Sequence, residues 1–405
     1  MTDLFWPGDH LAGELMSDTA FLRAMLAVEE AWLAGLVDTG IAPADARTTL
    51  TGYLDADFGS EDAEAIAQRA DADGNPVSGL VALLRQRTPE STTRWLHRGL
   101  TSQDVVDTAM MLCVRDALNR VAGETATQVD ALAGLAERWR DTPLLARTLT
   151  QAALPSTVGV KVAVWLNGVL DAAEQLQDVG TRLPVQVGGA VGTLAAIVEL
   201  AGSVDGAVAL TDALAGALGL APAPPWHTNR SPITRVGDLL VGFCDAWGHL
   251  ASDVATGSRP EIGEFAEGTG GGSSTMPHKN NPVRSVLIRR AALTAGPLAA
   301  TLHTASAMSV DERADGAWHA EWATIRTLAR RTVVAAAHTS ELVTGLRADA
   351  GRAATNLVNA GDLRTEQRTM AELVGREPNP EYVGAANLLV DAALDRAARY
   401  RKAVS

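Results

Sequence analysis

Long segments with a helical repeat of apolar residues constrain the fold of this chain more than any other feature. From about Asp104 to Arg140, apolar side chains recur at the three- and four-residue spacing that lines one face of an α-helix. Four further segments share the pattern, and proline, which suits the first turn of a helix, stands near the start of three of them. These segments follow Pro155 towards Arg182, run from Pro232 to before Pro260, begin at Pro282, and extend from about Asp315 to Leu346. The sequence therefore predicts an all-α protein with five long helices in an elongated bundle.

The length of 405 residues exceeds what one hydrophobic core usually supports, so two or three domains or one extended architecture are expected. Residues 1–98 carry shorter helical patterns, broken by turn signals such as Asp73-Gly74-Asn75-Pro76. We therefore predict an N-terminal helical domain at 1–98, a central long-helix bundle at 99–346, and a small C-terminal helical region at 347–405.

The charge balance restricts the partners of the chain. It has 34 basic and 48 acidic residues, a net charge of −14, which disfavours nucleic acid and anionic membranes as partners. No apolar stretch of about 18 residues and no leader-like N-terminus occurs, so a soluble, cytoplasmic protein is expected. A small anionic substrate would need a locally basic pocket, for which Arg147, Arg230 and Arg284 are candidates.

The two cysteines, Cys113 and Cys244, lie within apolar helical patterns, where cysteine usually behaves as a small buried hydrophobe. No C-x-x-C or H-E-x-x-H motif occurs, and so we expect neither a metal site nor an organic cofactor.

The segment from Gly272 to Pro282, GSSTMPHKNNP, is the most informative for chemistry. It offers the hydroxyls of Ser273 and Ser274, the cation of Lys279 and the amide of Asn281 directly before a helix. Such groups can hold a carboxylate beside a proton-transfer residue. The alternative is a polar loop whose hydroxyls cap the helix that begins at Pro282.

The same segment is similar to the signature GSSxMPxKxNP of the fumarase/aspartase superfamily. His97-Arg98-Gly99-Leu100-Thr101-Ser102-Gln103-Asp104 resembles a second superfamily motif, and Arg147-Thr148-Leu149-Thr150-Gln151-Ala152-Ala153-Leu154-Pro155 resembles a third. The resemblance implies a three-domain, all-α fold and a homotetramer with a 20-helix core. It also implies that the three motifs meet in pockets shared between subunits, which act on a small polycarboxylate.

The resemblance also suggests a role for each motif residue. Ser273 is expected to transfer a proton next to a carboxylate, with Ser274 as the second candidate. His97 is expected to orient a carboxylate or relay a proton; its alternative is an ordering or capping histidine. The residues expected to bind substrate are Thr101, Ser102, Arg147, Thr148, Gln151, Lys279 and Asn281.

Within the superfamily, weaker motifs are most similar to bacterial 3-carboxy-cis,cis-muconate cycloisomerases. They are Thr101–Asp104, Pro225-Trp226-His227-Thr228 and Trp318-His319-Ala320-Glu321-Trp322. Interconversion of 3-carboxy-cis,cis-muconate and 4-carboxymuconolactone is therefore the expected activity. The alternatives are a lyase acting on a substituted succinate of the adenylosuccinate, argininosuccinate or nitrosuccinate type, and a non-catalytic helical bundle. Trp318 and Trp322 share a helical face, which favours a core or interface position over a binding site.

Leu149 marks a departure from the adenylosuccinate and argininosuccinate lyases, whose motif reads R-T-H-x-Q. In those lyases the histidine helps the leaving group depart. A basic amine gains much from protonation as its bond breaks, whereas a carboxylate departs as a stable anion at neutral pH. The aliphatic residue therefore favours substrates whose leaving group is a weakly basic anion.

Overall fold

The computed structural model describes residues 3–52, 60–272, 276 and 279–404. Over these residues the regular structure is mostly helical, as the apolar periodicity predicts. Before the bundle lie 3-10 helices at Asp9–Ala12 and Ala44–Ala46 and helices α1 (Asp18–Asp38), α2 (Ser60–Asp73), α3 (Val77–Arg87) and α4 (Glu90–Thr93). The helices that follow are α5 (Ser102–Arg138), α6 (Val158–Gly180), α7 (Ala195–Ala201), α8 (Val204–Leu218), α9 (Ser231–Gly257), α10 (Val283–Ala307), α11 (Ala317–Gly345), α12 (Ala350–Asn359), α13 (Thr365–Leu373) and α14 (Ala386–Val404).

The five long helices predicted from the sequence are α5, α6, α9, α10 and α11. Helix α5 alone has 37 residues, which corresponds to about 55 Å at the usual rise per residue. Helix α9 packs against α10, α10 against α11, α11 against α5, and α5 against α6. Each helix thus buries its apolar stripe between neighbours, and the bundle forms the centre of the chain.

The predicted start of the second long helix at Pro155 is wrong. Pro155 lies in strand β2 (Gln151–Thr157), which pairs antiparallel with β1 (Pro143–Thr148). Helix α6 begins only at Val158, after Thr157, whose hydroxyl accepts a hydrogen bond from the Val160 N–H. The pairing partner of a strand lies elsewhere in the chain, so a local helical period cannot show it. A second two-stranded sheet joins β3 (Phe265–Ala266) to β4 (Arg347–Ala348).

A buried glutamine links three helices of the bundle. Gln128 of α5 accepts a hydrogen bond from Trp247 Nε1 of α9 at 2.7 Å and donates to the Ala336 carbonyl of α11 at 3.0 Å. Cys113 and Cys244 are buried, as predicted, and burial raises the pKa of each thiol to about 12. Both cysteines therefore act as apolar core residues.

Peripheral helices cover the ends of the bundle. Helix α1 packs against α5 and α8, and α14 lies along α6, where Arg396 pairs with Asp171 and Glu174. None of the helices in the described part of the chain is long and apolar enough to cross a membrane.

Candidate active site

The turn before α5 holds His97 in a constrained position. Its φ of 61° lies in the left-handed region that non-glycine residues rarely adopt. The imidazole Nδ1 lies 2.6 Å from Oε1 of Glu29, a buried carboxylate of α1. Trp32 of the same helix donates from Nε1 to the Arg98 carbonyl at 2.7 Å. Two side chains of α1 therefore fix both the imidazole and the backbone beside it.

The Glu29 carboxylate also controls the charge of His97. Burial opposes the charged imidazolium, but the negative charge and hydrogen bond of Glu29 outweigh burial and raise the pKa of His97. His97 is not a helix cap, since the N-cap of α5 is Thr101. The imidazole can therefore remain protonated to a higher pH than usual, which suits a group that binds a carboxylate or delivers a proton.

Asp104 ties the start of α5 to a glycine-containing loop at residues 186–193. Its Oδ2 accepts hydrogen bonds from the N–H groups of Thr101 at 2.9 Å and Gly189 at 3.0 Å, and its Oδ1 accepts from Gly188 at 2.9 Å. Ser102 is the first residue of the helix. Burial raises the pKa of Asp104 to about 6, although these hydrogen bonds favour its charged form. Thr101 and Ser102 thus occupy positions that are set by this one carboxylate.

A buried glutamine and histidine continue the network. Gln186 donates from Nε2 to Asp104 Oδ1 at 3.0 Å and accepts a hydrogen bond from the Trp226 N–H at 2.7 Å. His227 Nε2 lies 3.1 Å from the Gly189 carbonyl, which can only accept, so Nε2 carries the proton. Burial lowers the pKa of His227. The neutral imidazole of His227 therefore packs directly against the loop. The contact is so close that a Cβ added at Gly188 would lie 2.2 Å from the ring.

An ion-paired triad lies beneath this network. Arg230, at 1% exposure, contacts Asp107 of α5 at 2.7 and 3.0 Å and Glu321 of α11 at 2.7 Å. Trp318 Nε1 donates to the same Asp107 carboxylate at 2.9 Å. The prediction that Arg230 contributes positive field to a substrate pocket is therefore wrong, because two buried carboxylates already occupy its guanidinium.

Arg313 supplies a cation that the sequence did not suggest for this place. It donates from Nη2 to the Thr101 hydroxyl, and its charge helps to lower the pKa of His227. Its guanidinium lies directly beside a residue predicted to bind substrate carboxylates. The positive field near Thr101 therefore comes from Arg313.

The tryptophan pair of α11 belongs to the interior, as the shared helical face favours. Trp318 is buried, Trp322 is partly buried, and their rings meet edge to face at 4.7 Å. His319 is exposed, its ring centre lies 4.8 Å from that of Trp322, and its Nε2 lies 2.8 Å from the Gly74 carbonyl.

The third motif forms the β1–β2 hairpin. Thr148 and Gln151 are its last paired residues, and the two residues between them, Leu149 and Thr150, have φ values of 48° and 72°. Two positive φ values define the tight turn that asparagine and glycine usually form. Leu149 is 97% exposed at the tip. The hairpin therefore presents an apolar side chain to the surroundings on a backbone that such a residue rarely adopts.

Arg147, predicted to bind substrate, is already paired within the chain. Its guanidinium contacts both carboxylate oxygens of Glu264 at 2.9 and 2.8 Å, and Glu264 is buried. Asn356 also donates to Glu264 at 2.9 Å. The ion pair neutralises much of the Arg147 charge and fixes the hairpin, close to its turn, against the segment that follows α9.

The signature loop closes at its base. The backbones of Gly271 and Asn281 exchange two hydrogen bonds at 2.9 and 3.0 Å, and Lys279 is exposed. Ser273 and Ser274 lie outside the described residues, so their predicted roles stay predictions. Lys279 and Asn281 thus stand on the last part of the loop, immediately before α10.

A glutamate caps α10 instead of a loop hydroxyl from the described residues. Glu267 accepts hydrogen bonds from the N–H groups of Arg284 at 3.0 Å and Ser285 at 2.7 Å. A carboxylate at a helix N-terminus satisfies free N–H groups and suits the helix dipole. Arg284 pairs with Glu341 at 2.7 Å, so it too is a neutralised cation.

The three motifs make no direct polar contact with one another in the described part of one chain. Over residues 3–52, 60–272, 276 and 279–404, no hydrogen bond or ion pair joins the turn at His97–Asp104 to the β1–β2 hairpin or to Lys279 and Asn281. The same residues contain no group of three His, Cys, Asp or Glu side chains placed to hold a metal ion.

A family model described as lyase matches residues 17–295, well over half of the chain. The chain belongs to the fumarase/aspartase superfamily of lyases. The lyase is 40% identical to a nitrosuccinate lyase from Streptomyces davaonensis over 88% of its own length and 77% of that protein. It is 35% identical to a 3-carboxy-cis,cis-muconate cycloisomerase from Pseudomonas aeruginosa, over 96% of its length and 83% of the relative.

The fold of the lyase matches solved structures of the same superfamily. A 3-carboxy-cis,cis-muconate lactonizing enzyme from Pseudomonas putida superposes with a TM-score of 0.82 at 27% identity, over 96% of this chain and 97% of that one. A fumarate lyase from Mesorhizobium superposes with a TM-score of 0.80 at 26% identity, over 95% and 97% of the two chains.

Four residues that belong to this network had no role predicted from the sequence: Glu29, Asp104, Gln186 and His227. One of them carries a local signal, because Thr101-x-x-Asp104 has the spacing of a capping box at a helix start. The other three contact partners that lie 41 to 82 residues away along the sequence. No pattern within one segment could have linked them.

Proposed function

We propose that this lyase catalyses β-elimination from a substituted succinate whose leaving group departs as a weakly basic anion, with nitrosuccinate as the first candidate. A proton leaves the carbon next to one carboxylate, and the C–N bond to the nitro group breaks on the neighbouring carbon. The products are nitrite, a proton and an unsaturated C4 dicarboxylate. The identity with the Streptomyces nitrosuccinate lyase supports this choice of substrate.

Leu149 at the tip of the β1–β2 hairpin carries the proposal. The superfamily motif for amine-expelling lyases places a histidine here, and this chain presents an aliphatic, 97% exposed side chain. Nitrite and carboxylates are stable anions at neutral pH, so protonation during bond cleavage adds little to their departure. An amine leaving group would lose substantial catalysis.

A second candidate is the interconversion of 3-carboxy-cis,cis-muconate and its γ-lactone. The identity with the Pseudomonas cycloisomerase over nearly the whole chain supports it, together with the leaving group, which is again a carboxylate. Here the C–O bond of the lactone breaks while a proton leaves carbon, and the reverse reaction forms both bonds.

Both reactions need the same residues in the same roles. Ser273 would take the proton from carbon, with its alkoxide stabilised by loop N–H groups and the Lys279 cation. Thr101, Lys279 and Asn281 would bind the carboxylates, and Arg313 and protonated His97 would add positive charge beside Thr101. The negative charge that develops on the substrate carboxylate is then stabilised by hydrogen-bond donors that are already held in position.

We further propose that complete pockets form in a homotetramer. The absence of direct polar contacts between the three motifs in the described part of one chain and the exposed Leu149 support this assembly. Inactive Ser273→Ala and His97→Ala chains, mixed under dissociating conditions and reassembled, are expected to recover part of the activity. A light-scattering mass of one chain, or no recovery from reassembled tetramers, would contradict the shared pocket.

One experiment separates the candidate substrates. Purified protein is incubated with nitrosuccinate, with 3-carboxy-cis,cis-muconate, with adenylosuccinate and with argininosuccinate. Nitrite release identifies the first activity, and the fall in muconate absorbance identifies the second. Release of AMP or arginine would overturn the leaving-group argument, whereas a Leu149→Met variant is expected to keep the wild-type activity.

A further inference from the structure

The N-terminal segment places one tryptophan between two arginines. The guanidinium carbon of Arg290 lies 3.7 Å from the centre of the Trp6 ring, and that of Arg331 lies 4.0 Å from it. Arg290 comes from α10, Arg331 from α11, and Trp6 is 5% exposed. The indole therefore keeps two positive charges close together at the junction of the two helices.

Neither arginine has an acidic partner. In the described part of the chain, no carboxylate lies within 4 Å of the guanidinium of Arg290 or Arg331. The neighbouring arginines differ, because Arg330 pairs with Asp9 and Arg284 with Glu341. Arg290 and Arg331 therefore lie close together without a contacting countercharge from the described residues.

Asp3 is the acidic residue whose charge acts on both arginines. Its Oδ1 accepts a hydrogen bond from the Phe5 N–H at 2.8 Å, and its effect on the arginines is electrostatic only. Arg290 donates from Nη2 to the Pro7 carbonyl at 3.0 Å. The Pro7 carbonyl is a single neutral acceptor, so it satisfies only one of the N–H groups of the two guanidinium groups.

Three shielded polar atoms in the same cluster also lack partners. They are Trp6 Nε1, Arg290 Nε and Nδ1 of His338, all of which are inaccessible to solvent and without a hydrogen bond in the described structure. His338 is 2% exposed and packs under Gly8, and burial, followed by the charges of Arg284 and Arg290, lowers its pKa to about 4, so the imidazole is neutral at physiological pH. Buried donors normally have an acceptor, so the cluster calls for one.

We propose that Trp6, Arg290, Arg331 and His338 form a binding site for a small oxyanion, a phosphate or a carboxylate. Guanidinium groups donate parallel hydrogen bonds that match the oxygens of such anions. An oxyanion would neutralise the unpaired charges and accept from the shielded indole and guanidine N–H groups. A neutral ligand would leave both guanidinium charges uncompensated.

Thermal unfolding in increasing inorganic phosphate, at constant ionic strength set with chloride, tests the site. A ligand that binds only the folded state raises the melting temperature, and the rise follows the logarithm of the ligand concentration once this exceeds the dissociation constant. We expect this rise in the wild type and in Arg289→Met, which removes an exposed neighbouring arginine of α10. Arg331→Met is expected to weaken the apparent affinity by at least about tenfold, because it removes one of the two paired cations.

A second variant and a mass measurement make each outcome decisive. Trp6→Phe keeps the aromatic ring and removes the buried N–H donor, and it is expected to weaken binding while the protein stays folded. An equal rise with phosphate in Arg331→Met would place the anion elsewhere and overturn the proposal. No rise beyond that of the chloride control in the wild type would also overturn it. If Arg331→Met then lowered the light-scattering mass, the cations would face a carboxylate of a second copy.

Discussion

The imidazole Nδ1 of His97 lies 2.6 Å from the carboxylate Oε1 of Glu29, and this contact couples helix α1 to the turn that precedes α5. Glu29 is 1% exposed, so its charge acts on the imidazole with little screening by water. The resemblance assigns His97 a role in catalysis, and the structure shows how its charge is maintained.

Glu29→Gln is expected to lower the pKa of His97, because burial then acts without the opposing charge. In the wild type, the Glu29–His97 pair stabilises the folded protein fully when the pH is below the ordinary pKa of an imidazole. This stabilisation is lost as the pH rises through the raised, folded-state pKa of His97. An NMR titration of His97 and urea unfolding at several pH values measure both effects. Glu61→Gln, an exposed change on α2, is the control. An unchanged His97 titration would disprove the coupling.

Asp104→Asn is expected to lower the free energy of unfolding by about 1–3 kcal/mol, since an amide cannot accept from all the donors around this buried carboxylate. The pH dependence should change as well. Burial raises the folded-state pKa of Asp104 to about 6. The wild type should therefore lose stability as the pH rises from the ordinary pKa of an aspartate to the folded-state pKa of Asp104. The variant should lack this loss.

Urea unfolding across the acidic range distinguishes the two contributions of Asp104. Asp116→Asn, on the same helix and exposed, should show neither effect. Equal stability of Asp104→Asn and the wild type at every pH would mean that the carboxylate does not hold the loop at 186–193.

Arg230→Met is expected to destabilise the protein by about 3–5 kcal/mol, because it leaves Asp107 and Glu321 buried without a cation. The deficit should shrink at low pH, because burial raises the pKa of Glu321 and its protonation removes one of the unpaired charges. Chemical denaturation at neutral and acidic pH measures it. Arg235→Met, an exposed change one turn further along α9, should cost little. A small, pH-independent loss in Arg230→Met would contradict the triad.

Ser273→Ala is expected to reduce turnover by at least about 100-fold on the preferred substrate, because it removes the proton-transfer group. Circular dichroism and light scattering check that fold and assembly are kept. Ser274→Ala is the matched change one residue along. If Ser273→Ala is near wild type and Ser274→Ala is inactive, the proton transfer belongs to Ser274.

The regular repeat of apolar residues was sufficient to predict the five long bundle helices. Helical periodicity is a local property, and so the ends near Pro232, Pro282 and Leu346 agree with α9, α10 and α11 to within a few residues. The start at Pro155 failed because residues 151–157 pair with a neighbouring strand. Strand pairing is a contact between segments, which a helical repeat does not encode.

The sequence by itself determined the superfamily, because its motif residues are contiguous in the chain and need no fold to be recognised. Only the tertiary structure decided which cations are paired with carboxylates. Arg147, Arg230 and Arg284 look alike in sequence, yet Glu264, Asp107 with Glu321, and Glu341 pair with them. It also brought together Glu29 with His97, and Asp104 with Gln186 and His227. Their partners lie tens to more than one hundred residues apart, and an electrostatic interaction depends on distance in space rather than on separation along the chain.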